Sequence, residues 1–204
     1  MPNWCENKLE IFVSNTEQLQ AVKAKLLALD EDQTQQLDFN LIIPMPESMK
    51  INCSSEGERS QILLETFPIQ VLTHEHIEKF LHGCSVQQRQ RIEALAFADV
   101  WTIADFIQWL SNNPEEQKAC NLNLKLGQQY IDNLKQYGCT NWYDWACEYW
   151  GTKWNGQLCN IEEFNCHIIV HFDTAWTPPE PCFAELCKVF PEYFMVLSYY
   201  EQGC

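Results

Sequence analysis

The sequence predicts an α+β protein in which two strand–helix–strand halves build one antiparallel sheet, with a large helical insertion between them. Three observations predict it. Apolar residues alternate with a period of two near residue 10, near residue 170 and again at the end, each time next to an apolar stripe at helical spacing. Between residues 47 and 136 the alternation disappears and helical periodicity takes over. A chain of 204 residues, 46% hydrophobic and 20% charged, is long and ordinary enough to bury a core without disulfides or metals.

Leu9, Ile11 and Val13 alternate with Lys8, Glu10 and Phe12 and predict the first strand. Ser14 and Glu17 have capping-box spacing, and Leu19, Val22, Leu26 and Leu29 then predict a helix that ends at Asp30-Glu31-Asp32. Leu37, Phe39, Leu41 and Ile43 alternate up to Pro44-Met45-Pro46 and predict the second strand. Helical segments are expected over residues 60–65, 73–82, 85–96, 102–110 and 114–137, the last opening on Pro-Glu-Glu and closing at Gly138. Cys166, Ile168, Val170 and Phe172 predict the third strand, broken by Trp176-Thr177-Pro178-Pro179. Phe183, Leu186, Val189 and Phe190 predict a short helix, and residues 194–200 a final strand of aromatic and β-branched residues. The order is that of a ferredoxin-like split βαβ sandwich. Residues 1–46 with 137–204 form the sheet domain, and 47–136 the helical insertion.

The most distinctive stretch, residues 138–155, holds Trp142, Trp145, Trp150 and Trp154 among Asn141, Asp144, Glu148 and Lys153. Trp142, Trp145 and Tyr149 fall on one helical stripe, and Gly151 reads as the stop. Rings at this density fill volume first, because buried aromatics dominate core energetics. Twenty-eight carboxylates against thirteen Lys plus Arg give a formal net charge of −15, which disfavours direct binding to nucleic acid or to acidic membranes. The C-terminal half is the more acidic. Residues 92–204 carry fifteen acids against five bases, and residues 1–91 thirteen against eight.

The eleven cysteines include no CxxC pair, and MPNWCENKLEIF has neither the basic start nor the apolar run of a signal peptide, so the thiols are expected to be reduced and cytosolic. No apolar run approaches the 18 or so residues a membrane span needs. His167 and His171 lie about 13 Å apart on one strand face, too far to share an ion. His74 and His76 fall on different faces of a helix. No metal site, catalytic residue or cofactor is expected, and no GxGxxG, GxxxxGK[ST], HExxH or GxSxG occurs.

MPNWCEN at the start, LDFNLIIPMPE at 37–47, YGCTNWYDWACEYWGTKWN at 137–155, FDTAWTPPEP at 172–181 and SYYEQG at 198–203 together resemble the YubB ferredoxin-like proteins of bacteriophages and conjugative plasmids. The resemblance skips most of 48–136. It implies the fold, a variable helical insertion and residence on mobile elements in a bacterial cytoplasm, without a biochemical role. The chain ends at Cys204, soon after SYYEQG, where relatives tend to run on.

Charge and resemblance together suggest a non-enzymatic acidic accessory protein. It would bind and inhibit a host protein with a basic surface, a defence or nucleic-acid-handling complex, in the manner of a DNA mimic of anti-CRISPR or anti-restriction type. The alternative is a small-ligand-binding protein or enzyme that uses the Trp-rich motif at 141–155, with a carboxylate enclosed by indoles as its acid. A third reading, nucleic-acid binding on the sheet face, rests on fold analogy and needs a basic, aromatic face where the third strand offers His167, Ile169, His171 and Asp173. The candidate ligand- or partner-binding residues are Asn7, Asn141, Trp142, Tyr143, Asp144, Trp145, Glu148, Lys153, Trp154, Asn155 and Trp176.

Overall fold

Strand β1 (Trp4–Phe12) buries Cys5, Asn7, Leu9 and Ile11 on one face and turns Glu6, Lys8, Glu10 and Phe12 to the other, as a half-covered strand must. The computed structural model describes residues 3–201, so the ends of MPNWCEN and SYYEQG lie outside the described residues. After β1 come helix α1 (Thr16–Leu26) and a small hairpin, β2 (Leu27–Leu29) with β3 (Gln35–Leu37). The middle of the chain is helical. The sheet is then completed after α8 (Trp142–Tyr149) by β4 (Gln157–Phe164), β5 (His167–Ala175), α9 (Glu180–Val189) and β6 (Phe194–Glu201).

The sheet order is β4-β5-β1-β6, and every neighbouring pair is antiparallel. Each helical crossover therefore joins parallel strands that flank a third, which is the split βαβ order of a ferredoxin-like α+β sandwich. Leu19, Val22 and Leu26 of α1 are buried, as are Cys182 and Leu186 of α9, on the side where Leu9, Ile11, Ile168, Val170 and Phe172 point. Asn15 caps α1 by accepting from Gln18 N at 2.9 Å, while Gln18 Oε1 accepts from Ser14 N. The cap therefore sits one residue beyond the Ser14 expected from sequence.

Two strand assignments need correction. Residues 37–43 do not form a sheet strand: only Leu37 pairs, in the small hairpin, and Phe39–Leu41 is a 3₁₀ turn. Asp38 Oδ1 accepts from Asn40 N at 3.0 Å, an Asx turn that outcompetes extension, and Phe39 and Ile42 are buried at turn spacing. The true second strand is β4, a polar edge strand whose residues are mostly exposed and whose register shifts between Leu158 and Asn160. It has no alternation for a periodicity argument to find.

Residues 1–47 with 143–204 form one unit and residues 48–142 another. The second unit comprises α2 (Ser55–Glu65), α3 (His74–Phe80), α4 (Val86–Ala98), α5 (Ile103–Asn112), α6 (Pro114–Ala119) and α7 (Leu124–Tyr137). Leu63, Ile77, Phe80, Ile92, Ile103, Phe106 and Leu110 form its core. A single helix over 114–137 does not occur. Asn121 takes a left-handed conformation (φ 50°) and Asn123 caps α7, two roles that asparagine tolerates better than helix interiors. Gly57 and Gly127 let α2 and α7 approach closely: a Cβ would lie 2.7 Å from the Tyr130 ring and 2.6 Å from Ser60 Cβ.

Candidate functional site

Two of the four tryptophans in the tryptophan-rich stretch, Trp145 and Trp150, pack together in the core. Trp145 is buried, stacked on Tyr149 at 4.8 Å and edge-on to Trp150 at 5.5 Å. Trp150 is also edge-on to Phe39 and donates from Nε1 to Ile43 O at 2.9 Å, which satisfies its polar atom inside the core. Asp144 and Glu148 are exposed on the other side of α8, so no carboxylate is enclosed by indoles. Lys153 Nζ lies 4.5 Å from the Trp154 ring centroid and 5.6 Å from that of Tyr143, a cation–π arrangement worth roughly 0.5–1 kcal/mol at such partly exposed sites.

The candidate asparagines act as braces. Asn155 Oδ1 accepts from Phe39 N at 2.7 Å and its Nδ2 donates to Asp38 Oδ1 at 3.0 Å, fixing the turn that replaces the expected strand. Asn141 is buried, with Nδ2 donating to Thr140 Oγ1 at 2.8 Å; with Trp142 it belongs to the helical unit. Asn7 is 4% exposed and its Nδ2 donates to Cys5 O, Phe172 O and Thr174 Oγ1.

From Asn7 a hydrogen-bonded chain leads to Trp176. Thr174 Oγ1 donates to Thr177 O at 2.8 Å, Thr177 Oγ1 donates to Gly151 O at 2.6 Å, and Thr152 Oγ1 donates to Ala175 O at 2.9 Å. Between these anchors Trp176 takes φ 73°, and the Thr177 N–H bonds back to Ala175 O, closing a three-residue turn of the rare positive-φ kind. A bulky residue there costs of order 1–3 kcal/mol. Trp176 is 52% exposed at this turn.

Next to this turn is an open cleft of about 470 Å³ lined by Cys147, Gly151, Thr177, Pro178, Glu180, Pro181, Tyr199 and Glu201. Among the described residues its charged lining groups are the carboxylates of Glu180 and Glu201. Tyr199 donates its hydroxyl to Glu180 Oε1 at 2.8 Å; that bond and the negative charge of Glu180, with Glu201 adding to it, hold the phenol pKa above its ordinary value. Partial burial raises the Cys147 pKa above the ordinary thiol value, which disfavours the thiolate. Among the described residues no group of three or more His, Cys, Asp or Glu side chains is placed to hold a metal ion, and no helix is long and apolar enough to cross a membrane.

The cleft gathers blocks that lie far apart in the chain. Cys147 and Gly151 come from the tryptophan-rich block, Thr177 to Pro181 from FDTAWTPPEP, and Tyr199 and Glu201 from SYYEQG, while Asn7 underpins them from the first strand. Of the residues expected from sequence, Trp176 precedes the lining residue Thr177, Asn7 supports the cleft, Trp145 packs in the core with Trp150, and Trp142 and Trp154 are half-buried. Glu180, Tyr199, Glu201 and the three threonines were missed, because only strand pairing brings them together: Asn7 lies opposite both Phe172 and Tyr199.

Residues 150–204 match the family model described as "Ferredoxin-like domain in Api92-like protein". A solved structure, that of protein api92 from Yersinia pseudotuberculosis, is 14% identical, with 98% of this chain and 90% of that chain covered and a TM-score of 0.38. No curated protein matches. Over residues 150–204, which hold β4, β5, α9 and β6, the chain is thus similar to the ferredoxin-like domain of Api92-like proteins.

Proposed function

We propose that the protein is a non-enzymatic accessory protein of a phage or plasmid that docks on a basic host protein and blocks it, acting in the host cytoplasm against a defence or nucleic-acid-handling complex. The observation that carries this reading is the cleft formed by Glu180, Tyr199 and Glu201 beside the exposed Trp176. Two carboxylates lining one open cleft, Glu180 and Glu201, suit a lysine or arginine side chain presented by a partner. The net charge of −15 adds long-range attraction to the same class of partner. The mobile-element and anti-defence parts rest on the sequence blocks described above.

The test compares the wild-type chain with a Glu180→Gln, Glu201→Gln variant, each immobilised and exposed to bacterial lysate at low salt. The expected result is a basic protein retained by the wild type, released as NaCl rises and absent from the variant. Equal retention on both would remove the cleft from the interaction. Retention of nothing at low salt would refute the reading.

A further inference from the structure

The outward face of the sheet carries a second surface. At one end four rings form a ladder across all four strands: Phe164 of β4 stacks on His167 of β5 at 5.6 Å, His167 on Phe12 of β1 at 4.1 Å and 8°, and Phe12 meets Phe194 of β6 at 5.6 Å. Such rings normally serve a core, yet Phe12, Phe164 and Phe194 are 40%, 53% and 66% exposed. His167 Nε2 lies within the ladder with no hydrogen-bond partner, and Glu10 Oε1 is 3.9 Å from it. Strand pairing places Glu6, Glu10, Glu162 and Asp173 on this same face with Lys8, which pairs with Glu10 at 3.0 Å, and His171, which lies 3.2 Å from Glu162.

We propose that this face is a docking platform for an extended, arginine-rich segment of a protein partner. Four carboxylates to one lysine repel a phosphate backbone, and equally repel a second copy of the same face. A guanidinium suits both features, because its plane stacks on aromatic rings while its edge donates to carboxylates. From Glu6 to Phe12 the face runs about 20 Å, the reach of roughly six extended residues. The inference shares its partner class with the proposed function but uses a separate surface.

Fluorescence anisotropy of the full chain with fluorescein-labelled octa-arginine, octa-lysine and a 15-nucleotide oligothymidylate tests it. Octa-arginine should bind about fivefold or more tightly than octa-lysine, as ring stacking favours guanidinium, and weaken between about 50 and 300 mM NaCl. Phe164→Ser with Phe194→Ser, on exposed edge-strand positions, should weaken octa-arginine about tenfold with the melting temperature kept. Glu180→Gln with Glu201→Gln should leave it within about twofold, since the cleft is a separate surface. Loss in the cleft variant but not in the ladder variant would overturn this proposal and leave the proposed function standing. Equal binding of the two peptides, or tighter binding of the oligonucleotide, would also overturn it. So would self-association by light scattering that the ladder variant abolishes, which would give the face to a second copy.

Discussion

Asn7 Nδ2 donates to Thr174 Oγ1 at 2.9 Å, and Thr174 passes the bond on to Thr177 O, so a buried amide on the first strand fixes the turn that displays Trp176. Replacing Asn7 by Ala removes the hydrogen bonds its amide shares among Cys5 O, Phe172 O and Thr174 Oγ1 inside the core. The expected loss is roughly 1–3 kcal/mol, read as a lower urea midpoint with unchanged slope. A variant as stable as wild type would show that the amide is not a brace.

Gly151 and Gly138 both have positive φ, 81° and 76°, but differ in their surroundings. A Cβ on Gly151 would lie 2.4 Å from Pro181 Cδ, whereas nothing lies within 4 Å of one on Gly138. Gly138→Ala should cost about 1 kcal/mol, the price of left-handed backbone alone. Gly151→Ala should cost clearly more, because the proline ring at the cleft wall must shift. Thermal melts of the two variants side by side decide this.

Trp176 pairs strained backbone with an exposed ring, which is unfavourable for folding and useful for contact. Trp176→Asn keeps a residue that tolerates left-handed backbone, so stability should match or exceed that of wild type by up to about 1 kcal/mol. Capture of a basic partner should fall at the same time. A large drop in stability would mean that the ring serves the core.

Cys182 and Cys120 are buried thiols whose pKa values burial pushes up from 9.0 to about 12 and about 11. Their folded pKa values exceed the unfolded ones, so the native state holds its protons more tightly. The stability they supply is intact below pH 9 and falls as pH rises through 11 and 12, at about 1.4 kcal/mol per pH unit for each thiol that is ionised only when unfolded. Urea midpoints should therefore decline above pH 9 in wild type and less steeply in Cys182→Ala. Equal slopes would refute the assignment.

Much of the sheet unit was legible because half-covered strands must alternate and covering helices must carry a stripe. The segments around Leu9, Val170 and Leu186 obey that rule, and they are β1, β5 and α9. It failed for β4, where an edge strand with little to bury shows no period, and for residues 37–43, where Asp38 and Asn40 bond locally and turn an alternating run into a 3₁₀ turn.

By itself the sequence determined the α+β composition, the helical middle and the excess of carboxylates, since each follows from residue type or local spacing. Tertiary structure decided which polar groups meet. Asn7, Thr174, Gly151, Glu180 and Tyr199 become one site only when β1 pairs with β5 and β6, and Phe12, His167, Phe164 and Phe194 become one ladder only when four strands come into register. Pairing between distant strands is set by the burial of the whole sheet, and no local window of residues contains it.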